Sequence, residues 1–221
     1  MYLENPLKNK EERLLIYDLK WKKLLKLAKF FAYFPFIEFV IVSGSMATGY
    51  IKKHSDFDVL ISTKENRLFF TRYLLNLFFG IIKKRRMDDF KKSSPDKFCF
   101  NHFITRPSWK LKPIDNYGPI IYKNLIPLYG DKNKIKEFFR INSQYNPNLT
   151  YNIFDLRYKI KEKKQIAKIL EKLLEGKIGD WLEKISFSIA KKRLEKYINS
   201  KKLKRSRIVI KKEELELHFF N

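Results

Sequence analysis

The sequence predicts an α/β core followed by a helical appendage. Short apolar runs of strand length, at 36–43, 56–62 and 98–104, alternate with stretches whose leucines and phenylalanines recur at helical spacing. A connection punctuated by Pro107, Pro113, Pro119 and Pro127 follows. Beyond Asn146-Pro147-Asn148 the pattern turns mainly helical, so a division is expected between residues 1–146 and 147–221. A chain of 221 residues suits one moderate domain, or a small one with an appendage.

Residues 10–33 carry Leu14, Leu15, Leu19, Leu24, Leu25 and Leu27 near helical spacing, and Pro35 stops that helix. Phe36, Ile37, Phe39, Val40, Ile41 and Val42 form the first strand. Gly44-Ser45 turns it into a short helix through Met46, Ala47 and Thr48. The second strand, 56–62, holds Val59, Leu60 and Ile61. Residues 67–82 read as a helix that is apolar nearly all round. Arg72 and Asn76 interrupt it, and it is too short to span a bilayer, so it belongs in a core.

Residues 91–97 form a loop, and 98–104, reading FCFNHFI, form the third strand. Strand alternation would put Cys99, Asn101 and Phe103 on one face, with Phe98, Phe100, His102 and Ile104 on the other. The connection through residue 127 is irregular, partly ordered at 117–124, and a helix follows at 131–142. Residues 153–199 are mainly helical, broken at Glu175-Gly176 and at Ile178-Gly179-Asp180. Asp180 is expected to cap a helix beginning at Trp181. Residues 208–210 and 215–220 form short extended segments.

With 20 phenylalanines and 12 tyrosines, the core should be rich in rings. The single cysteine excludes an internal disulfide framework and suits a reducing cytoplasm. Cys99 itself, in an apolar strand, reads as an inert buried thiol. His54, His102 and His218 show no metal-ligand spacing along the chain. The polar N-terminus, MYLENPLKNKEER, is unlike a secretory signal, and the expected location is cytoplasmic.

A net charge of +24 invites a polyanionic partner such as RNA. Lys83-Lys84-Arg85-Arg86 and the run from Lys201 to Arg207 are the clusters able to grip phosphates. Lysines outnumber arginines 37 to 11, however, and AT-rich codons favour lysine, so codon bias accounts for part of the excess.

The segment 41–59, IVSGSMATGYIKKHSDFDV, carries the chemistry. Asp56 and Asp58, two apart on a strand, would present carboxylates side by side. Such a like-charged pair is costly unless a divalent cation lies between them. An oxygen-rich site suits Mg²⁺, which accepts phosphate oxygens as further ligands. The Gly44-Ser45 turn would offer backbone N–H groups to phosphate. Together these point to nucleotidyl or phosphoryl transfer.

Gly44-Ser45 followed by Asp56-Phe57-Asp58-Val59 resembles the signature of the polymerase-β-type nucleotidyltransferase superfamily. The likeness extends to uncharacterised bacterial nucleotidyltransferase-domain proteins, through STKENRLFFTRYLL, DKFCFNHFI, IPLYGDKNKIKEFFRIN and the closing LELHFF. It implies a small mixed sheet flanked by helices, with a C-terminal helical extension. It also implies an NTP donor, Mg²⁺ or Mn²⁺ on Asp56 and Asp58, and a triphosphate held by Gly44 and Ser45. The product would be a nucleoside monophosphate joined to an acceptor hydroxyl.

Catalysing members supply a third carboxylate from a later strand. Here Asn101 takes the expected position, Asp96 is the nearest acidic substitute, and Asp155 has the right local form within a helical stretch. Lys64 and Arg67 are candidate phosphate or acceptor contacts. The rival expectation is a catalytically degenerate nucleotide- or nucleic-acid-binding regulatory module, for example one half of a toxin–antitoxin pair.

Overall fold

The computed structural model describes residues 6–86, 94–112, 118–145, 162–201 and 206–219. Apolar runs of strand length assemble there into one sheet: β1 (Ile37–Val42), β2 (Phe57–Thr63), β3 (Phe98–Ile104), β4 (Ile126–Gly130), β5 (Ser206–Ile210) and β6 (Glu214–Phe219). Their order is β4-β1-β2-β3-β6-β5. Only β2 and β3 run parallel, and every other neighbouring pair is antiparallel, so the sheet is mixed. A parallel pair needs a crossover, and α3 (Leu68–Ile81) lies within it. Among the described residues the other α-helices are α1 (Pro6–Ala28), α2 (Gly44–Thr48), α4 (Gly118–Lys123), α5 (Lys132–Ile141), α6 (Gln165–Leu173) and α7 (Lys177–Lys201). Among the described residues, no helix is long and apolar enough to cross a membrane.

Both faces of the sheet are covered, which explains why its strands read as continuous apolar runs. On one face Val40, Val42, Phe57, Val59, Ile61, Phe98, Phe100 and Phe103 pack with Leu24 of α1 and with Leu75 and Phe79 of α3. On the other, Phe39, Ile41, Leu60 and Ile104 meet Trp109, Leu111 and the α5 residues Ile135 and Phe138. The first face is dense in rings. Phe79, fully buried, lies with its ring centroid 4.9 Å from Phe98, 5.3 Å from Phe100 and 5.7 Å from Phe31. Truncating it leaves a cavity between helix and sheet. Phe79→Ala is expected to lower unfolding stability by about 3–5 kcal/mol, as read in denaturant titration.

Several sequence expectations need correction. The connection around Pro127 is not irregular throughout, because residues 126–130 form β4. Proline within a strand argues against an interior position, and β4 indeed lies at the sheet edge. Pro127 pairs with Ile41 where the register against β1 shifts. The simple alternation assigned to β3 also fails. Asp58 is opposite Cys99, but Leu60 is opposite His102, so β3 bulges between them. Phe103 therefore joins Phe98 and Phe100 in the core, while Ile104 joins Leu60 on the other face.

Neither Gly179 nor Asp180 breaks the helical tail. Gly176, at φ +87°, separates α6 from α7, which then runs unbroken from Lys177. Asp180 does not cap a helix at Trp181, but accepts a hydrogen bond from Arg67 Nη1 at 2.7 Å. Gly179 allows this approach, since a Cβ there would meet the Leu174 carbonyl at 1.9 Å and Arg67 Nη2 at 2.8 Å. One turn further, Glu183 accepts from the backbone N–H groups of Phe69 (2.9 Å) and Phe70 (2.8 Å), satisfying the start of α3 from another helix. Burial raises the Glu183 carboxyl above its ordinary value, against the opposing pull of those donors and Arg67.

Beyond the expected division at residue 146, the chain returns to the same sheet. β6 pairs with β3, with His102 opposite Glu216 and Ile104 opposite Glu214, and β5 completes a hairpin on β6.

Candidate functional site

β1 ends at Val42, and the Ser43 N–H donates to the Asp58 carbonyl at 3.0 Å, tying the following turn to β2. Gly44 adopts φ +60°, a conformation that side chains disfavour. It also lies against the Asp58 carboxylate: a Cβ added at Gly44 would sit 2.3 Å from Asp58 Oδ2. Glycine is thus required twice, for its backbone angle and for the space. Ser45, half-buried, lies next along α2, whose Thr48 hydroxyl donates back to the Gly44 carbonyl at 3.2 Å. Gly44→Ala is expected to push the Asp58 carboxylate aside and to lower unfolding stability by about 1–3 kcal/mol, since a side chain is strained at this backbone angle and the new Cβ collides. Denaturant titration would measure this.

Phe57 is buried among the α1–α3 core residues, so its neighbours Asp56 and Asp58 are directed away from that core. Carboxylate oxygens of Asp56 and Asp58 and the Sγ of Cys99 all lie within 4.8 Å of one another. The acidic pair thus converges beside the Gly44 turn. The position opposite Asp58 on the neighbouring strand belongs to Cys99 and not to Asn101, which lies in the bulge of β3.

A cation already stands on this pair. Arg86 Nη1 donates to Asp56 Oδ2 at 2.5 Å, and the Arg86 N–H donates to the Phe98 carbonyl at 2.8 Å, which anchors it along β3. Burial alone would lower the guanidinium's pKa. The charges and hydrogen bond around it, chiefly from Asp56, instead hold it above its ordinary value. Burial pushes the Cys99 thiol well up, and the charges of Asp58 and Asp56 push it further. It is therefore a neutral S–H at physiological pH.

The other candidates lie elsewhere or serve the scaffold. Asp96, at φ +57°, takes Lys20 Nζ at 2.9 Å and Lys23 Nζ at 2.5 Å, while Lys20 also donates to the Ser55 carbonyl at 2.6 Å. This clamp fixes the residue before Asp56. Burial opposes ionisation of Asp96, but the two lysines bring its carboxyl below the usual value. Lys64 pairs with Glu175, and buried Arg67 joins α3 to α7, so the structure gives neither a place at the acidic pair. Of the first basic cluster, Arg86 enters the site and Lys83 is exposed. Asp155 and residues 202–205 of the second cluster lie outside the described residues.

The donor set fits a divalent ion. Two hard carboxylates converge beside a glycine whose Cβ would collide with Asp58, and Arg86, now on Asp56, is the cation that an ion would displace. Asp56 and Asp58 are the residues that would hold it.

Comparison with known proteins agrees with this geometry. Residues 21–108 match the family model for the nucleotidyltransferase domain. No curated protein and no solved structure matched the chain. The matched segment begins within α1 and ends beyond β3, so it contains Gly44, Ser45, Asp56, Asp58, Arg86 and Cys99. Residues 21–108 thus resemble the nucleotidyltransferase domains of the polymerase-β-type superfamily, with the glycine turn following β1 and the acidic pair flanking Phe57, the first residue of β2.

Proposed function

We propose that this protein transfers a nucleoside monophosphate from an NTP to an acceptor hydroxyl, with Mg²⁺ or Mn²⁺ held by Asp56 and Asp58. The observation that carries this reading is the seating of the Asp58 carboxylate against Gly44, where any Cβ would collide. It puts a metal-binding group beside the turn suited to the triphosphate. When bound, the ion stabilises charge developing on the phosphate oxygens.

The chain's own residues do the rest. Gly44 lets the backbone approach the triphosphate, and the Ser45 hydroxyl donates to a phosphate oxygen. The Lys20–Asp96 clamp and buried Phe57 hold Asp56 and Asp58 in place. Arg86, on leaving Asp56, has a phosphate oxygen as its alternative partner. The acceptor oxygen bonds to the α-phosphorus as the bond to the bridging oxygen breaks and pyrophosphate departs. Among the described residues no third carboxylate joins the pair, so the acceptor's proton passes to solvent water. The proposed setting is the reducing cytoplasm, which suits a lone buried thiol. The charge of +24 favours a polyanionic acceptor such as RNA.

A second reading has its own support. Arg86 on Asp56 and a protonated thiol opposite Asp58 also suit a protein that binds nucleotide without turnover. Incubation with each labelled NTP, Mg²⁺ or Mn²⁺, and total RNA or cell extract separates the two. A labelled product that disappears with Asp58→Asn supports transfer. Metal-dependent nucleotide binding with no product, across both acceptor pools, supports the regulatory reading.

A further inference from the structure

We propose that His102, Glu214 and Glu216 form a second cation site, selective for a transition-metal dication such as Zn²⁺ and separate from the Asp56–Asp58 pair. The site is assembled across two strands. His102 of β3 stands directly opposite Glu216 of β6, and Glu214, two residues earlier, shares the Glu216 face. One imidazole nitrogen and one oxygen from each carboxylate lie within 4.8 Å of one another. Ligand atoms about 2.1 Å from one ion sit about 3–3.5 Å apart, so small side-chain rotations close the set.

Burial sharpens the case. His102 is 6% exposed and Glu216 only 1%, whereas carboxylates are rarely placed so deep without strong compensation. Leu215 and Leu217 face the ring-rich core, so the two glutamates line the opposite face, where neighbouring Leu60 and Ile104 are apolar. Aliphatic residues there would give a more stable sheet. Glu214, half-buried beside the exposed turn at 211–213, leaves an approach for an ion.

The donor chemistry separates this site from the first. An imidazole with two carboxylates suits Zn²⁺, Mn²⁺ or Fe²⁺, whereas the Asp56–Asp58 pair supplies no imidazole. Adjacent hydrogen-bonded strands hold the donors rigidly, leaving positions open for water or a substrate oxygen.

The test uses the full chain, stripped with chelator and then dialysed against Zn²⁺, with bound metal measured by elemental analysis. One equivalent should be retained by the triple variant Asp56→Asn, Asp58→Asn, Cys99→Ser, in which the first pair is disabled, and the substitutions below are made in that background. Affinity should fall about tenfold or more in His102→Gln. Glu214→Gln, at the half-buried position, supplies a variant that keeps the side chain's size, and circular dichroism checks the fold of each. A titration of the triple variant with Co²⁺ should show ligand-field bands that both substitutions remove. The proposal is overturned if the wild type retains no metal, which would leave a buried histidine–carboxylate cluster. It is equally overturned if retention survives both substitutions in folded protein, or vanishes in the triple variant. Since that triple variant lacks the proposed catalytic ligands, loss of nucleotidyl transfer and loss of this site are read separately.

Discussion

Asp58→Asn should reduce nucleotidyl transfer by about a thousandfold or more, because a metal ligand contributes several kcal/mol of transition-state stabilisation and each 1.4 kcal/mol is about tenfold. The substitution keeps the side chain's size, so the contact with Gly44 is preserved and only the charge is lost. Removing one of two adjacent anions also relieves repulsion in the metal-free protein. Thermal unfolding without Mg²⁺ should therefore stay level or rise, while Mg²⁺-dependent NTP binding weakens. Single-turnover assays with saturating NTP, alongside calorimetry of the metal, measure both quantities. Unchanged turnover in folded Asp58→Asn protein would remove the mechanism. A collapse in stability would instead show that the carboxylate serves the fold.

Cys99→Asp should have a comparably large effect of opposite sign on metal affinity. The thiol Sγ lies within 4.8 Å of the Asp56 and Asp58 oxygens, so an aspartate there completes a carboxylate triad. At an effective dielectric near 20, one added charge at about 4 Å contributes about 4 kcal/mol. Desolvation of the new charge offsets part of this, leaving Mg²⁺ binding tighter by about tenfold or more. The same charge is costly when no metal is present, since three carboxylates then share a buried site. The melting temperature of Cys99→Asp should thus drop without metal and recover steeply with Mg²⁺. Asn101→Asp is the control. It lies in the bulge and not opposite Asp58, and it should raise Mg²⁺ affinity by clearly less than Cys99→Asp does. If Asn101→Asp gives the larger gain, the third position lies where strand alternation alone puts it.

This contrast shows what local pattern conveys and what it does not. β1, the Gly44 turn, β2 and the limits of β3 follow from apolar runs and a turn residue, each decided within a few neighbouring positions. The third position does not, because a single extra residue in β3 reverses the face of everything beyond it, and nothing in FCFNHFI announces the bulge. Pro127 concealed β4, since proline is tolerated at a sheet edge yet argues against a strand when the edge is unknown. Arg86 was legible only as one of four basic residues. Its partner emerges once the chain after α3 runs alongside β3. His102 and Glu216 lack any spacing along the chain because their pairing is made across strands. Arg67 and Glu183 are of the same kind, polar residues whose partners lie in distant helices.

The pairing of β3 with β6 has a consequence for how the protein is made. A ribosome releases residues 98–104 well before residues 214–219 exist, and β1 likewise waits for β4. Until then the half-built sheet offers two bare edges, each able to recruit a strand from a neighbouring nascent chain. The stretch that carries Asp56, Asp58 and Cys99 is thus a passenger on contacts completed late. A gene fragment encoding residues 21–108 alone should yield insoluble polypeptide, and slowing translation between the codons for β3 and β6 should lengthen dependence on chaperones.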